Sequence, residues 1–270
     1  MTMKDYRSRF GFHATPFTRE LATKDRFPLG DFDEAIEAVL TTLDARMSCA
    51  LIAPAGTGKT ALLRAVLARL PEARYRTRYV KVTDLSKRDM CKEIAQAVGS
   101  APAGTYPALV RCLQNHFHET AHSEGLRPVL ILDEAHDLRP DTLAMLRVLT
   151  NFDMDGKLVV SLVPAGQPRL RDLLRRDDLV DVAGRLAHYA TLRLLSRDEI
   201  HRYVEHRCTI AGAVNLPFDQ DAVDALYEIG RGNLRATDQL ARKALEITHG
   251  ADQDVCGAAH VAQARKRVCP

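Results

Sequence analysis

The sequence lacks any long hydrophobic run and any ordered cysteine pattern. No apolar stretch approaches the roughly 20 residues that a membrane-spanning helix needs, and Met1–Phe10 carries charges where a secretory signal would be hydrophobic. The six cysteines are scattered, with no C-x-x-C pair and no metal-ligand spacing. These absences predict a cytoplasmic protein with reduced thiols and no membrane contact.

A large excess of charge is also missing, which removes one simple argument for a nucleic-acid partner. The formal net charge is +3 over 270 residues, with 46% apolar and 27% charged residues. This composition is ordinary for a globular protein and excludes a disordered chain. Basic residues nevertheless cluster at Arg74–Lys81 and at Lys87–Arg88. Such clusters either meet a phosphate backbone or cover a solvated surface, and the sequence leaves both interpretations open.

Short apolar strands alternate with amphipathic helices through the first two thirds of the chain. Met90, Ile94 and Val98 fall at i, i+4 and i+8 of one helix. Val129–Leu132 is a continuous apolar run, typical of a strand buried on both faces. The alternation predicts an α/β fold with a parallel sheet covered by helices on both sides. The predicted strands are Cys49–Ala53, Tyr79–Val82, Val129–Leu132 and Leu158–Val163.

The strand signals stop near residue 195, and helical patterns continue to the end. Ser196 and Glu199 have the spacing of a capping box at a helix start. The residues before 31 carry phenylalanines and prolines without a helical period, which indicates an arm packed on a domain. Helices are expected near 219–229, 234–248 and 257–266. The predicted domains are an aromatic arm at 1–30, an α/β core at 31–195 and a helical domain at 196–270.

The segment after the first predicted strand has the composition of a phosphate-binding loop. It is rich in glycine, follows an apolar strand and opens a helix, which is the context that a P-loop needs. Lys59 is expected to reach the β- and γ-phosphate oxygens, and the Thr60 hydroxyl is expected to coordinate Mg²⁺. Ala53 stands where the usual pattern has its first glycine. The predicted ATP-binding residues of this segment are Ala53, Pro54, Ala55, Gly56, Thr57, Gly58, Lys59, Thr60 and Ala61.

Two acids, Asp133 and Glu134, end the apolar strand at Val129–Leu132. A carboxylate pair after an apolar run is weak evidence alone, but downstream of a P-loop it indicates a Walker B motif. Asp133 is expected to hold the Mg²⁺ shell, and Glu134 to orient and deprotonate the attacking water. The two motifs together predict Mg²⁺-dependent ATP hydrolysis.

Three further polar residues are candidates for contacts with the phosphates. Gln167 follows the strand predicted beside the Walker B strand, where a polar side chain can sense the γ-phosphate; a plain turn is the alternative. Arg185 is a candidate finger inserted into a neighbouring subunit's site, in competition with the arginines of 169–176. Arg235, at a helix start in the predicted small domain, either reaches the nucleotide or is a capping or surface arginine.

The order of these motifs resembles that of AAA+ ATPases of the ExeA-like group. That group includes ATPases encoded beside transposases and is related to the IstB-, TniB- and TnsC/MuB-like transposition regulators. The resemblance implies the AAA+ sheet, ATP at the subunit interfaces of a homo-oligomeric ring or helical filament, and Phe12 and Phe17 near the adenine. It covers about residues 6–250, with landmarks at Tyr6-x-x-x-Phe10-Gly-Phe-x-x-x-Pro16-Phe17, Asp133-Glu-Ala-His136, Leu149-Thr-Asn-Phe-Asp153, Gly166-Gln-Pro168 and Gly232-Asn-Leu-Arg235.

The resemblance also implies a function on DNA. Secretion members of the group carry a membrane segment and a cell-wall-binding domain, and the sequence contains neither pattern. We therefore expect ATP-dependent binding to duplex DNA and control of a transposase, with Lys81, Lys87 and Arg88 as candidate phosphate contacts. Two alternatives stay open: a secretion or envelope-assembly ATPase that acts on protein partners, and a signalling switch ATPase without DNA contact.

If Arg185 acts in a neighbouring subunit's site, two inactive variants should rescue each other. We expect Arg185→Ala and Glu134→Gln each to lose most ATP turnover, and their mixture to regain part of it. One partner at a mixed interface supplies the intact acid pair, and the other supplies the arginine. Phosphate release is measured against the mixing ratio. No rescue at any ratio, with both variants assembled, rules out action in trans.

Overall fold

The computed structural model describes residues 6–20, 22, 25–101, 104–150 and 159–268. The chain divides into an α/β unit, Gly30–Leu192, and a helical unit made of the residues before Gly30 and those from Arg193 onwards. Among the described residues, no helix has the length and apolarity to cross a bilayer. In chain order the elements are α1 (Tyr6–Arg9), α2 (Gly30–Asp44), β1 (Ser48–Ile52), α3 (Lys59–Arg69), β2 (Tyr75–Lys81), α4 (Lys87–Val98), α5 (Tyr106–His122), β3 (Arg127–Asp133), α6 (Pro140–Thr150), β4 (Ser161–Gly166), α7 (Arg169–Leu174), α8 (Val180–Ala183), β5 (Leu186–Thr191), α9 (Arg197–Ile210), α10 (Gln220–Gly230), α11 (Leu234–Gly250) and α12 (Ala258–Val268).

The described strands form one five-stranded parallel sheet in the order β2-β3-β4-β1-β5. The three central strands are buried along almost their whole length, as expected for strands covered by helices on both faces. Asp133 at the end of β3 lies opposite Ala165 of β4, and Ile52 at the end of β1 lies opposite Gly166. The carboxyl ends of these strands therefore meet at one edge, as the predicted parallel α/β fold requires.

Both edge strands differ from the sequence prediction. β2 begins at Tyr75 rather than Tyr79, because its first residues alternate with arginines, which an edge strand tolerates and an apolar-run criterion misses. β5 was not predicted, since only Leu186 and Ala190 of its six residues are buried. Within the sheet, β4 ends at Gly166, three residues beyond the predicted end at Val163. Leu158 of that predicted strand, and the end of the landmark that starts at Leu149, lie outside the described residues.

The helical unit confirms the predicted capping box. The Ser196 hydroxyl accepts from the Glu199 backbone N–H, and the Glu199 carboxylate accepts from the Ser196 backbone N–H. Each of these two hydrogen bonds satisfies a backbone N–H at the start of α9 that has no partner within the helix. The three helices expected after residue 219 are found as α10, α11 and α12.

The aromatic arm is part of the helical unit's own core. Phe10, Phe12, Phe17 and Phe27 are each at most 8% exposed and pack among side chains of the helices after residue 195. Arg207 of α9 is buried beside them, donates to the Thr18 carbonyl at 2.6 Å, and places its guanidinium 5.8 Å from the Phe17 ring. Ring burial and a charge-assisted hydrogen bond therefore both hold this segment in place.

A glycine in the helical unit marks a close approach between two backbone segments. Gly232 has φ +75°, and its carbonyl accepts from the Leu195 N–H at 3.0 Å. A β carbon at Gly232 would lie 2.1 Å from the Leu195 carbonyl oxygen. Position 232 therefore requires glycine for both its dihedral angle and its space.

We expect Gly232→Ala to destabilise the helical unit by at least ~2 kcal/mol, because the backbone at Leu195 must move and the left-handed angle is strained. Gly250→Ala is the matched control, since a β carbon there meets no atom within 4 Å. Thermal unfolding followed by circular dichroism measures both. Equal unfolding midpoints for the two variants would contradict this packing.

Candidate active site

The P-loop and the Walker B acids meet at the carboxyl edge of the sheet. β4 lies between β1 and β3, so the residues that follow β4 fall between the P-loop and the acids. The Ala53 N–H donates to the Gly166 carbonyl at 2.9 Å, which extends the pairing of β1 with β4 by one step. Ala53 is fully buried. The alanine in place of the usual glycine is therefore accommodated as a continuation of the strand.

The backbone of the loop uses its glycines for left-handed angles. Gly56 has φ +77° and Gly58 has φ +98°. Thr57 is buried, and its hydroxyl donates to the Pro54 carbonyl at 2.8 Å. The loop is thus closed by its own hydrogen bond and turns tightly into α3.

The N-terminus of α3 has neither a side-chain cap nor an acid. Its N-cap is Gly58, no side chain of the described residues caps its first N–H groups, and its first turn carries no acidic residue. By contrast, α4, α9, α10 and α11 are capped by Ser86, Ser196, Asp219 and Asn233. An uncapped helix N-terminus leaves N–H donors and the positive end of the helix dipole for an anion.

Lys59 joins the P-loop to both Walker B acids. Its Nζ lies 2.5 Å from Asp133 Oδ1 and 2.9 Å from Glu134 Oε1. Lys59 and Asp133 are buried, whereas the Glu134 side chain is 29% exposed. The Glu134 N–H also donates to Asp133 Oδ1 at 2.9 Å. One cation therefore holds two carboxylates that would otherwise repel each other.

Glu134 has an unusual backbone conformation. Its φ is +61° and its ψ is +31°, and it is the N-cap of a 3-10 turn, Ala135–Asp137. A non-glycine residue in the left-handed region is strained, and strain of this kind concentrates at functional sites. The turn directs the Glu134 carboxylate toward Lys59, which also binds Asp133. Both acids therefore reach one lysine although they are neighbours in the chain.

Tyr79 is a member of the site that no motif in the sequence indicates. Its hydroxyl donates to Asp133 Oδ2 at 2.8 Å from β2. Partial burial, and then the contact with Asp133, raise the pKa of Tyr79 above its ordinary value, so the hydroxyl stays protonated and donates. The contact depends on the pairing of β2 with β3, where Lys81 lies opposite Asp133. No spacing in the sequence reveals that pairing.

The groups at this site suit a nucleoside triphosphate bound together with Mg²⁺. The uncapped α3 N-terminus and Lys59 suit phosphate oxygens, and the exposed Thr60 together with Asp133 can supply hydroxyl and carboxylate oxygens for Mg²⁺. No cluster of three or more acidic, histidine or cysteine ligands is found in the described part of the chain. The fit to Mg²⁺ holds because this ion keeps waters and phosphate oxygens in most of its coordination positions.

Gln167 and Arg185 lie at opposite edges of the sheet. Gln167 is half-buried directly after β4, between the P-loop and the acids. Arg185 directly precedes β5, at the amino edge of the sheet, so the fold does not bring it to the P-loop of its own chain. Arg185 lines an open groove of about 880 Å³ with Arg147, Asp181 and others.

Arg235, Phe12 and Phe17 belong to the helical unit. Arg235 is exposed in the first turn of α11, where Asn233 supplies the cap, so Arg235 is not the capping residue. Phe12 and Phe17 are buried in the core of that unit, and Phe17 packs edge-on against Phe218. Their predicted contacts with the nucleotide stay predictions.

The candidate DNA contacts flank the loop between β2 and α4. Lys81 is exposed, with no hydrogen-bond or ion-pair partner among the described residues. Lys87 lies 3.5 Å from Asp141, and Arg88 donates to the Gly104 carbonyl at 3.1 Å. Two of the three cations are therefore engaged within the protein, and Lys81 is the one available for an external anion.

The fold and this site define the class of the protein: it has the AAA+ P-loop NTPase fold. Residues 42–174, just under half of the chain, match the protein family described as AAA domain.

A curated relative, the general secretion pathway protein A of Aeromonas hydrophila, is 32% identical over 193 residues. The match spans 70% of this chain and 35% of the relative, so the chain spans about a third of that protein's length.

Solved structures show the same fold at low sequence identity. Cdc6p from Pyrobaculum aerophilum matches with a TM-score of 0.73 and 18% identity, over 93% of this chain and 70% of that one. The Aeropyrum pernix ORC1 protein, solved in complex with DNA, matches with a TM-score of 0.71 and 20% identity, over 95% of this chain and 70% of that one. The Thermotoga maritima RuvB Holliday junction branch migration motor matches with a TM-score of 0.57 and 17% identity, over 87% of this chain and 66% of that one.

Proposed function

We propose that the chain is a Mg²⁺-dependent ATPase in which Lys59, Asp133 and Glu134 form the catalytic centre. The observation that carries the proposal is the lysine held between two carboxylates beside an uncapped helix N-terminus. When bound, Mg·ATP supplies the phosphoanhydride bond to be broken and the metal charge that neutralises its oxygens.

Each residue of the chain has a definite task in this proposal. Lys59 exchanges its carboxylate partners for phosphate oxygens, since both are anionic oxygen acceptors. Asp133, held in place by the Tyr79 hydroxyl, would supply a carboxylate oxygen to the Mg²⁺ shell. Glu134, released from Lys59, takes the proton of the attacking water, and Gln167 helps to position that water from the end of β4.

The chemistry is tested with two substitutions at the ion cluster. We expect Glu134→Gln to bind ATP and Mg²⁺ normally and to lose roughly 100-fold or more of its turnover, because the metal shell survives and the general base does not. Lys59→Ala should lose nucleotide binding itself. Binding is measured with a fluorescent ATP analogue, and turnover by phosphate release.

Glu119→Gln on α5 is the control for the loss of an exposed carboxylate. Because Lys59→Ala also leaves Asp133 and Glu134 without their shared cation, its unfolding midpoint is measured alongside. Near-normal turnover of Glu134→Gln removes Glu134 from the proposed role.

We further propose that ATP controls binding to duplex DNA, with a transposase as the partner and a ring or helical filament as the assembly. The support is the resemblance of the motifs together with three cations around the loop that follows β2. Three acids around this loop are ion-paired: Asp84 with Arg139, Asp89 with Lys92, and Asp141 of α6 with Lys87. Of these three ion pairs, only the one between Lys87 and Asp141 involves a candidate DNA contact. A DNA phosphate would therefore compete with one carboxylate only.

A second candidate function is supported by the curated relative. Its name places that protein in a general secretion pathway, and a third of its length matches this chain. In this alternative the ATPase acts on protein partners. The structural neighbours, including the one solved with DNA, share only 17–20% identity with this chain and support the fold alone.

Fluorescence anisotropy with a labelled duplex separates the two functions. We expect wild-type protein to bind duplex more tightly with an ATP analogue than with ADP, and Lys81→Ala and Lys87→Ala/Arg88→Ala to bind more weakly without any change in ATP affinity. Each phosphate contact adds roughly 0.9 to the slope of log affinity against log salt. Lys92→Ala on α4 removes one charge from the same unit and serves as the control. If wild-type protein shows no nucleotide-dependent binding at low salt, the protein-partner function replaces the DNA function.

A further inference from the structure

His136 lies directly beside the proposed general base and has no role in the chemistry described so far. It belongs to the 3-10 turn Ala135–Asp137, and its imidazole is buried. Nδ1 lies 3.4 Å from Glu134 Oε2, and Nε2 lies 3.7 Å from Asp137 Oδ1. Neither contact has hydrogen-bond geometry, and Nδ1 has no hydrogen-bond partner among the described residues. A buried nitrogen without a partner is uncommon and requires an explanation.

The same nitrogen packs against the end of β4. A β carbon at Gly166 would lie 3.0 Å from the His136 backbone nitrogen and 3.2 Å from Nδ1. A side chain at position 166 would therefore be crowded by the His136 ring and backbone and by Leu170. His136 thus contacts both Glu134 and the residue that precedes Gln167.

The two oxygens of the Glu134 carboxylate face different partners. Oε1 is held by Lys59 at 2.9 Å, and Oε2 faces His136 Nδ1. If Lys59 turns to a phosphate, Oε1 loses its cation and the carboxylate becomes free to rotate. His136 Nδ1, 3.4 Å from Oε2, is then within reach, and a shift of a few tenths of an ångström brings an Nδ1–H to good hydrogen-bond distance.

We propose that His136 is a positioning residue that takes over Glu134 when Lys59 leaves it, and that holds the carboxylate in the orientation required for proton transfer from water. This inference rests on the proposed ATPase function. His136 acts through Glu134 and does not contact the nucleotide. The contact with Gly166 sets the ring against a rigid strand end, so the orientation of Glu134 is fixed relative to Gln167.

The test compares side chains that keep or remove a donor at the Nδ1 position. We expect His136→Leu to lower kcat roughly 10- to 100-fold, because a misoriented base costs about that much, while affinity for a fluorescent ATP analogue stays within about twofold. His136→Asn should recover a large part of the lost kcat, since its amide N–H occupies the place of Nδ1–H. His136→Gln, whose amide reaches the Nε2 position instead, should stay low.

A double variant separates positioning from general packing. Glu134→Gln/His136→Leu should be no slower than Glu134→Gln alone, because His136 then has no base left to position. A purely structural role would make the two losses multiply. His249→Leu on α11 is the matched control, since its Nδ1 is also buried and without a hydrogen-bond partner in the described chain. It should leave kcat unchanged.

Three outcomes overturn the inference. They are an equal kcat for His136→Leu and wild type, an equally low kcat for the Asn and Gln variants, and multiplied losses in the double variant. If His136→Leu fails to fold, as judged by thermal unfolding, the comparison of Asn with Gln decides. An inactive wild-type protein refutes the ATPase proposal itself, whereas an active wild type with an equally active His136→Leu refutes only the role of His136.

Discussion

The ion cluster of Lys59, Asp133 and Glu134 is the interaction on which the rest of the site depends. A buried lysine is costly unless it is paired, and here it is shared by two carboxylates that would repel each other without it. The cluster joins the start of α3 to the end of β3, so it connects two motifs that are far apart in the chain. In the proposed function the same lysine exchanges these carboxylates for phosphate oxygens. In that function one side chain therefore both holds the two carboxylates together and binds the phosphate.

The strand order determines which residues surround that cluster. Because β4 lies between β1 and β3, Gly166 has a neighbour on each side. Its carbonyl accepts from Ala53 of the P-loop, and it packs against His136 of the 3-10 turn that follows the acids. Gln167 follows immediately. A parallel sheet places all its carboxyl ends at one edge, but only the order places this strand between the other two. Tyr79 enters for a similar reason, since β2 is the neighbour of β3.

The helical unit illustrates how far local patterns predict structure. The capping box at Ser196 and Glu199 and the helices α10 to α12 follow from short-range rules, and they lie where those rules place them. The aromatic arm carried no periodic signal, yet four of its phenylalanines are core residues of this unit. They pack among helices almost two hundred residues away in the chain, and Arg207 of one of these helices contacts Phe17 and Thr18. The phenylalanines and prolines of the first thirty residues indicated that this segment packs on a domain. They could not indicate which helices it packs against.

The sequence by itself determined the α/β class, the central strands, the P-loop with Lys59 and Thr60, and the acid pair Asp133 and Glu134. These features are local: an apolar run, glycine spacing and a carboxylate pair are each written within a few residues. The tertiary structure decided the strand order, the edge strand β5, the position of Arg185 at the opposite edge of the sheet, the presence of Tyr79 beside Asp133, and the packing of His136 against Gly166. These features depend on pairings between distant segments. Many alternative pairings satisfy the same local patterns, and only the packing of the whole sheet selects one of them.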